Sequence, residues 1–176
     1  SSPGSGGGIC LWGADGKGNG YLTSSIISEN TANSGGGGLS VQWGSKFTMD
    51  DCIVSENIAI GKGGGLTIDN CTQVRNCLII NNVAGLFGGG VVLGNNARVY
   101  NCTIENNTSL RGGGVSIDAP QGIASIYNSL FQSNFTDNFS RERIDPSKVY
   151  TVEYCNTTPL PTGLTNIAGS TTNEPL

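Results

Sequence analysis

Gly63-Gly64-Gly65-Leu66-Thr67-Ile68 decides how this chain is read, because it is one of five related copies. The others are Gly6-Gly7-Gly8-Ile9-Cys10-Leu11, Gly36-Gly37-Gly38-Leu39-Ser40-Val41, Gly88-Gly89-Gly90-Val91-Val92-Leu93 and Gly112-Gly113-Gly114-Val115-Ser116-Ile117. The third glycines fall at 8, 38, 65, 90 and 114, giving steps of 30, 27, 25 and 24 residues. A fixed period in this range marks one structural unit stacked on copies of itself.

Further columns keep the same period. Asparagine recurs at Asn30, Asn57, Asn82, Asn107 and Asn134. Three residues before each stands Ile27, Val54, Ile79, Ile104 or Phe131; five before stands Ser25, Cys52, Cys77, Cys102 or Ser129. Eight before stands Leu22, Met49, Val74, Val99 or Ile126. Within each unit the apolar positions lie two apart, which is the strand period. No stretch carries the 3.6-residue period of an amphipathic helix. Short strands joined by turns, returning every 25 residues or so, make an all-β parallel β-helix. The expectation is a solenoid of about five to six coils with roughly 24–30 residues in each.

Each column then has a physical task. Aliphatic side chains point inward and stack like on like. The asparagines occupy a turn, where each amide donates to the one in the next coil, so an inward polar group stays satisfied. The glycines serve a turn with positive φ, or a place too tight for Cβ. Cys52, Cys77 and Cys102 face the core as small apolar residues, and Cys155 extends their column. Vertical neighbours point the same way, which is poor disulfide geometry; Cys10 and Cys71 are the remaining candidates for a bridge.

Composition narrows the function classes. The chain has 176 residues, 28 glycines, no histidine and only 12% charged residues. A net charge of −4 and a pI near 4.6 leave no basic patch for phosphates, which argues against nucleic acid. No apolar run approaches a membrane span. There is no CxxC pair and no histidine, so no metal or other cofactor is expected. Seven Asn-x-Ser/Thr sequons occur, but those at Asn107 and Asn134 belong to the inward column, where a glycan does not fit.

The chain reads as a single domain over 1–176, with regular coils at 6–134. Residues 135–150 carry Arg141, Glu142, Arg143, Asp145 and Lys148 and read as a charged loop. A last coil and an irregular tail fill 151–176, with Pro159, Pro161 and Gly163. The chain enters its first coil without a capping helix. The expectation is that more protein or another subunit covers that end.

These columns resemble the repeated GGA[ILV] and FxxN tetrapeptides of the chlamydial polymorphic outer membrane proteins. Phe131-Gln132-Ser133-Asn134 is a literal FxxN, and the other four copies keep the Asn after Ile or Val. The Ala of GGA[ILV] is replaced by glycine. The likeness covers roughly 6–135 and extends to secreted bacterial right-handed β-helix proteins more broadly. It implies a right-handed coil, an extracellular or outer-membrane-associated address, and adhesion or surface scaffolding.

Parallel β-helices also host enzymes on their outer faces, where paired carboxylates would carry the chemistry. Asp50 and Arg75 read as an exposed ion pair of small value. Asp69 and Asp118 share a column with Gly94 between them, about 9–10 Å apart by coil spacing, with nothing else converging there. Glu29 and Glu56 read as solvated carboxylates. Tyr100 and Tyr127 on one outer face, and Trp12 and Trp43 on the opposite strand set, are candidate ligand-binding aromatics. The resulting expectation is a non-enzymatic extracellular adhesin or scaffold whose partner is a glycan or protein on another cell surface. A carbohydrate-binding or polysaccharide-degrading protein is one alternative. A filament subunit that binds itself end to end is the other.

Overall fold

The computed structural model describes residues 5–12, 19–42, 46–144, 147 and 150–157. All of its regular structure is β, in three six-stranded parallel sheets and one three-stranded corner sheet. The first sheet stacks Ile9–Trp12, Leu39–Gln42, Leu66–Ile68, Val91–Leu93, Val115–Ala119 and Phe139–Ile144 in chain order. The second runs from Asn19–Thr23 to Thr151–Glu153, the third from Ile26–Ser28 to Asn156–Thr157. Thr31–Ala32, Ile58–Ala59 and Val83–Ala84 make the corner sheet. Each strand pairs with the equivalent strand one coil away, so the chain is a parallel solenoid.

Vertical registration follows the sequence columns. Val74 pairs with Met49 and Val99, and Ile79 pairs with Val54 and Ile104. Val91 pairs with Leu66 and Val115. These side chains are fully buried and form one continuous core. Each large aliphatic contributes about 1.5–3 kcal/mol by leaving water.

The asparagines form an unbroken ladder. Asn82 Oδ1 accepts from both the backbone N and Nδ2 of Asn57, each at 3.0 Å. Asn107 Oδ1 does the same for Asn82, at 2.9 and 3.0 Å. The spare amide hydrogen of Asn82 reaches the Val54 and Ile80 carbonyls, both at 3.0 Å. Asn57, Asn82 and Asn107 are completely buried and still fully partnered. Beyond Asn134 the ladder continues through Asn138 to Thr157, a continuation the sequence columns did not reveal.

Both tasks assigned to the glycines are present, on different members of each triplet. The first, such as Gly63 with φ 64°, occupies the left-handed region. The third, such as Gly65, faces the next coil, where a Cβ would lie 2.7 Å from the Gly90 carbonyl oxygen. Left-handed backbone is not confined to glycine. It recurs between the second and third sheets at Ser24, Asp51, Asn76, Asn101, Asn128 and Tyr154, each just before the Ser/Cys column. That column turns its side chain back to the carbonyl two residues earlier. Ser129 Oγ donates to Tyr127 O at 2.8 Å, and Cys77 Sγ donates to Arg75 O at 3.0 Å. The thiols therefore stand in for hydroxyls as well as filling space. All six cysteines are free, with Cys10 and Cys71 exposed, so neither forms a bridge.

The charged stretch departs from its reading as a loop. Phe139–Ile144 is a sixth strand of the first sheet, paired with Val115–Ala119 through a register shift between Ile117 and Ala119. Thr136, Asp137 and Asn138 stand where the triplet would be, and a Cβ on Gly114 below would lie 2.8 Å from Asn138 O. The charges anchor the strand downward: Glu142 pairs with Arg111 at 3.0 Å and Arg143 with Asp118 at 2.7 Å. Asp145, Lys148 and the tail from Pro159 lie outside the described residues.

Candidate functional site

Polar side chains gather on the outer face of the first sheet. Two outward columns rise there. One holds Cys10, Ser40, Thr67, Val92, Ser116 and Ser140 in register. The other begins with Trp12 over Gln42 and continues through Asp69, Gly94 and Asp118. The turn before each triplet overhangs the first column, so Ser40, Thr67 and Val92 are buried although they point outward. Thr67 Oγ1 donates to the Lys62 carbonyl of that turn. Between overhang and second column runs an open groove of about 310 Å³, lined by Trp12, Gln42, Lys62, Asp69, Asn95 and Arg143 among others.

Two carboxylates in the groove have opposite surroundings. Asp118 is buried, and both of its oxygens are engaged by cations. Arg143 forks onto it, Nε to Oδ1 at 2.7 Å and Nη2 to Oδ2 at 2.9 Å, while Lys62 Nζ reaches Oδ2 at 3.0 Å. Burial alone would raise its pKa, but the two cations outweigh that and hold it below the usual range. Asp69 has no cation partner in the same position. Burial pushes its carboxyl up, partly offset by hydrogen bonds from Asn70 and Asn95. Gly94 makes room for it, since a Cβ there would stand 2.7 Å from Asp69 Cγ. The expectation that nothing else converges near these aspartates is therefore corrected. The missing partners were hidden because Lys62 precedes a triplet and Arg143 lay in the supposed loop.

The two aspartates carry opposite signs of pH-dependent stability. Asp118 titrates lower folded than unfolded, so its contribution is present above about pH 4 and is lost as pH falls through the folded value. Asp69 titrates higher folded than unfolded, so its cost exists above the folded value and fades as pH falls. Asp118→Asn is expected to lose about 1–2 kcal/mol at neutral pH, discounted because Lys62 and Arg143 are partly solvated. Asp69→Asn is expected to be neutral or slightly stabilising there. Urea melts at pH 7 and pH 3 check this, with the difference between the variants narrowing at the lower pH.

The other candidates fall elsewhere. Tyr100 and Tyr127 are register partners on the second sheet, half-buried, with Tyr100 Oη donating to Gln73 Oε1 at 2.8 Å. They share no groove with Trp12, which is exposed on the first sheet. Trp43 lies outside the described residues. Asp50 is not the exposed ion-pair member expected. It is buried, and its carboxylate accepts from Arg75 Nε at 2.8 Å and Asn76 Nδ2 at 2.9 Å. Glu29 and Glu56 are exposed at left-handed positions just before the ladder. Among the described residues no cluster of three or more His, Cys, Asp or Glu side chains is placed to hold a metal. No described helix is long and apolar enough to cross a membrane.

No curated protein and no solved structure matches the chain. A family described as the right handed beta helix region matches residues 2–139, which is most of the sequence and all of the first five coils. With the stacked parallel sheets and the registered columns, this match shows that the chain belongs to the right-handed β-helix family.

Proposed function

We propose that this chain is a non-enzymatic β-helical module that holds a glycan lengthwise in the groove outside its first sheet, on an extracellular or cell-surface protein. The observation that carries this is the column itself. A half-exposed Trp12 and the polar side chains of Gln42, Asp69 and Asn95 follow one another up the coils along one open groove. Aromatic faces take the apolar side of a sugar ring, and amides and carboxylates take its hydroxyls. Coils repeat at roughly 4.8 Å, a spacing of the same order as a sugar residue. A groove of this size is in the range of small-ligand sites, about 300–1,000 Å³.

Binding is favoured over turnover because Asp118 is already held by two cations. A carboxylate held by a guanidinium fork and an ammonium is a poor base and a poor nucleophile. The likeness to secreted surface β-helices supports the extracellular address and an adhesive or scaffolding role. The test is a glycan array followed by calorimetry. The expected result is binding of an oligosaccharide that weakens at least tenfold in Trp12→Ala. No binding at millimolar sugar, or binding indifferent to Trp12, would overturn the proposal. Release of new reducing ends, abolished by Asp69→Asn, would show an enzyme instead.

A further inference from the structure

The groove outside the first sheet is uneven in charge. Its lining holds two cations, Lys62 and Arg143, and two carboxylates, Asp69 and Asp118. Both cations are committed to one partner. Arg143 Nε and Nη2 and Lys62 Nζ all donate to Asp118. Asp69, two coils lower, forms no ion pair among the described residues. Amides hold its carboxylate instead. The Asn70 backbone N donates to Oδ1 at 2.9 Å, and Asn95 supplies backbone and side-chain N–H groups. Burial and the neighbouring Asp118 charge both press on the ionised form. Asp69 is half-buried and lines the groove. Gly94, one coil above, carries no side chain to cover it; a Cβ there would stand 2.7 Å from Asp69 Oδ1.

This arrangement discriminates between classes of sugar. A hydroxyl of a neutral sugar would add one more uncharged hydrogen bond and leave Asp69 without a counter-ion. An ammonium would add a charge-assisted bond, about twice as strong, and would supply the cation that Asp118 withholds. An acidic sugar would set like charge against Asp69, and would find Lys62 and Arg143 already engaged. The column also fixes where an amine falls. Trp12 lies under Gln42, and Gln42 under Asp69, so ring and carboxylate are two coils apart. That is roughly 10 Å, the reach of about two sugar residues at one residue per coil. On the reading that the groove holds a glycan, we propose that its ligand is an oligomer of an amino sugar with free amines. One ammonium pairs with Asp69, about two residues along from the ring stacked on Trp12.

Calorimetry at about pH 6 tests this with tetramers of glucosamine, of N-acetylglucosamine and of galacturonate. The glucosamine tetramer is expected to bind the full chain at least tenfold tighter than either of the others. Asp69→Asn should cut its preference over the acetylated form to about twofold or less, with the far-ultraviolet spectrum of the parent retained. Trp12→Ala should weaken both forms alike and leave their ratio in place. Glu29→Gln combined with Glu56→Gln removes two exposed carboxylates elsewhere, and should also leave the ratio in place. A preference that survives Asp69→Asn, or that disappears with Glu29 and Glu56, would mean diffuse attraction to a negative protein and would overturn the inference. Tighter binding of the acetylated or the acidic tetramer through Trp12 would overturn it too, while leaving the glycan groove standing. A glycan array without a single hit would overturn both.

Discussion

Asn82→Ala is expected to lose on the order of 3–5 kcal/mol of folding stability. Asn82 is fully buried in the middle of the ladder. Removing its amide strands the backbone N of Asn57 and leaves Asn57 Nδ2 with only the Ile27 carbonyl as acceptor. It also strips donors from the Val54 and Ile80 carbonyls and from Asn107 Oδ1. A buried polar group left without a partner costs about 1–3 kcal/mol, and here several are orphaned together with no route for water. Asn82→Asp makes the test sharper. It keeps the acceptor for Asn57 but sets a charge against three oxygen acceptors, so it is expected to be as damaging as alanine at neutral pH. Chemical denaturation followed by circular dichroism measures both. A loss under 1 kcal/mol for either variant would mean that the ladder is incidental to stability.

Gly64→Ala is the second large effect, and its cause is steric. A Cβ on Gly64 would stand 2.5 Å from the carbonyl carbon and oxygen of Val83, and it would also strike the Gly89 carbonyl of the coil above. Neither obstacle is the end of a flexible side chain, so the coils themselves must part. The expected loss is about 3 kcal/mol or more, in the range of overpacked cores. Gly63→Ala beside it offers a comparison, because its obstacles lie within its own coil: it needs a left-handed alanine, typically about 1–2 kcal/mol, and presses on the Leu66 carbonyl and the Thr67 hydroxyl. Thermal melts of the two variants, with Gly64→Ala the less stable, separate crowding between coils from local backbone preference.

The sequence made the repeat legible because a solenoid writes its contacts at one fixed separation. Asn57, Asn82 and Asn107 stack because they are 25 residues apart, and the aliphatic columns obey the same interval. What the columns could not show are features that break the period or skip a coil. Lys62 reaches Asp118 across an intervening coil, 56 residues away, so no column links them. Arg143 closes on Asp118 through a strand whose glycine triplet is absent, and that absence made a paired strand read as a loop. Asp50 looked exposed because strand alternation alone does not report that Arg75 and Asn76 fold over it. The left-handed turn residues escaped notice for a different reason. Asn and Asp tolerate that conformation, but Glu29, Glu56 and Tyr154 give no sign of it in their side chains.

The even interval between paired strands also sets how the molecule would yield to force. Tension on its two ends is carried by one coil at a time, since the strand ladders join each coil only to its neighbours. Peeling one free releases about 25 residues, or roughly 80–90 Å of slack, before the next bears load. Stretching would thus lengthen the rod in near-equal steps, a tether that absorbs a pull gradually where an ordinary globule would give way at once.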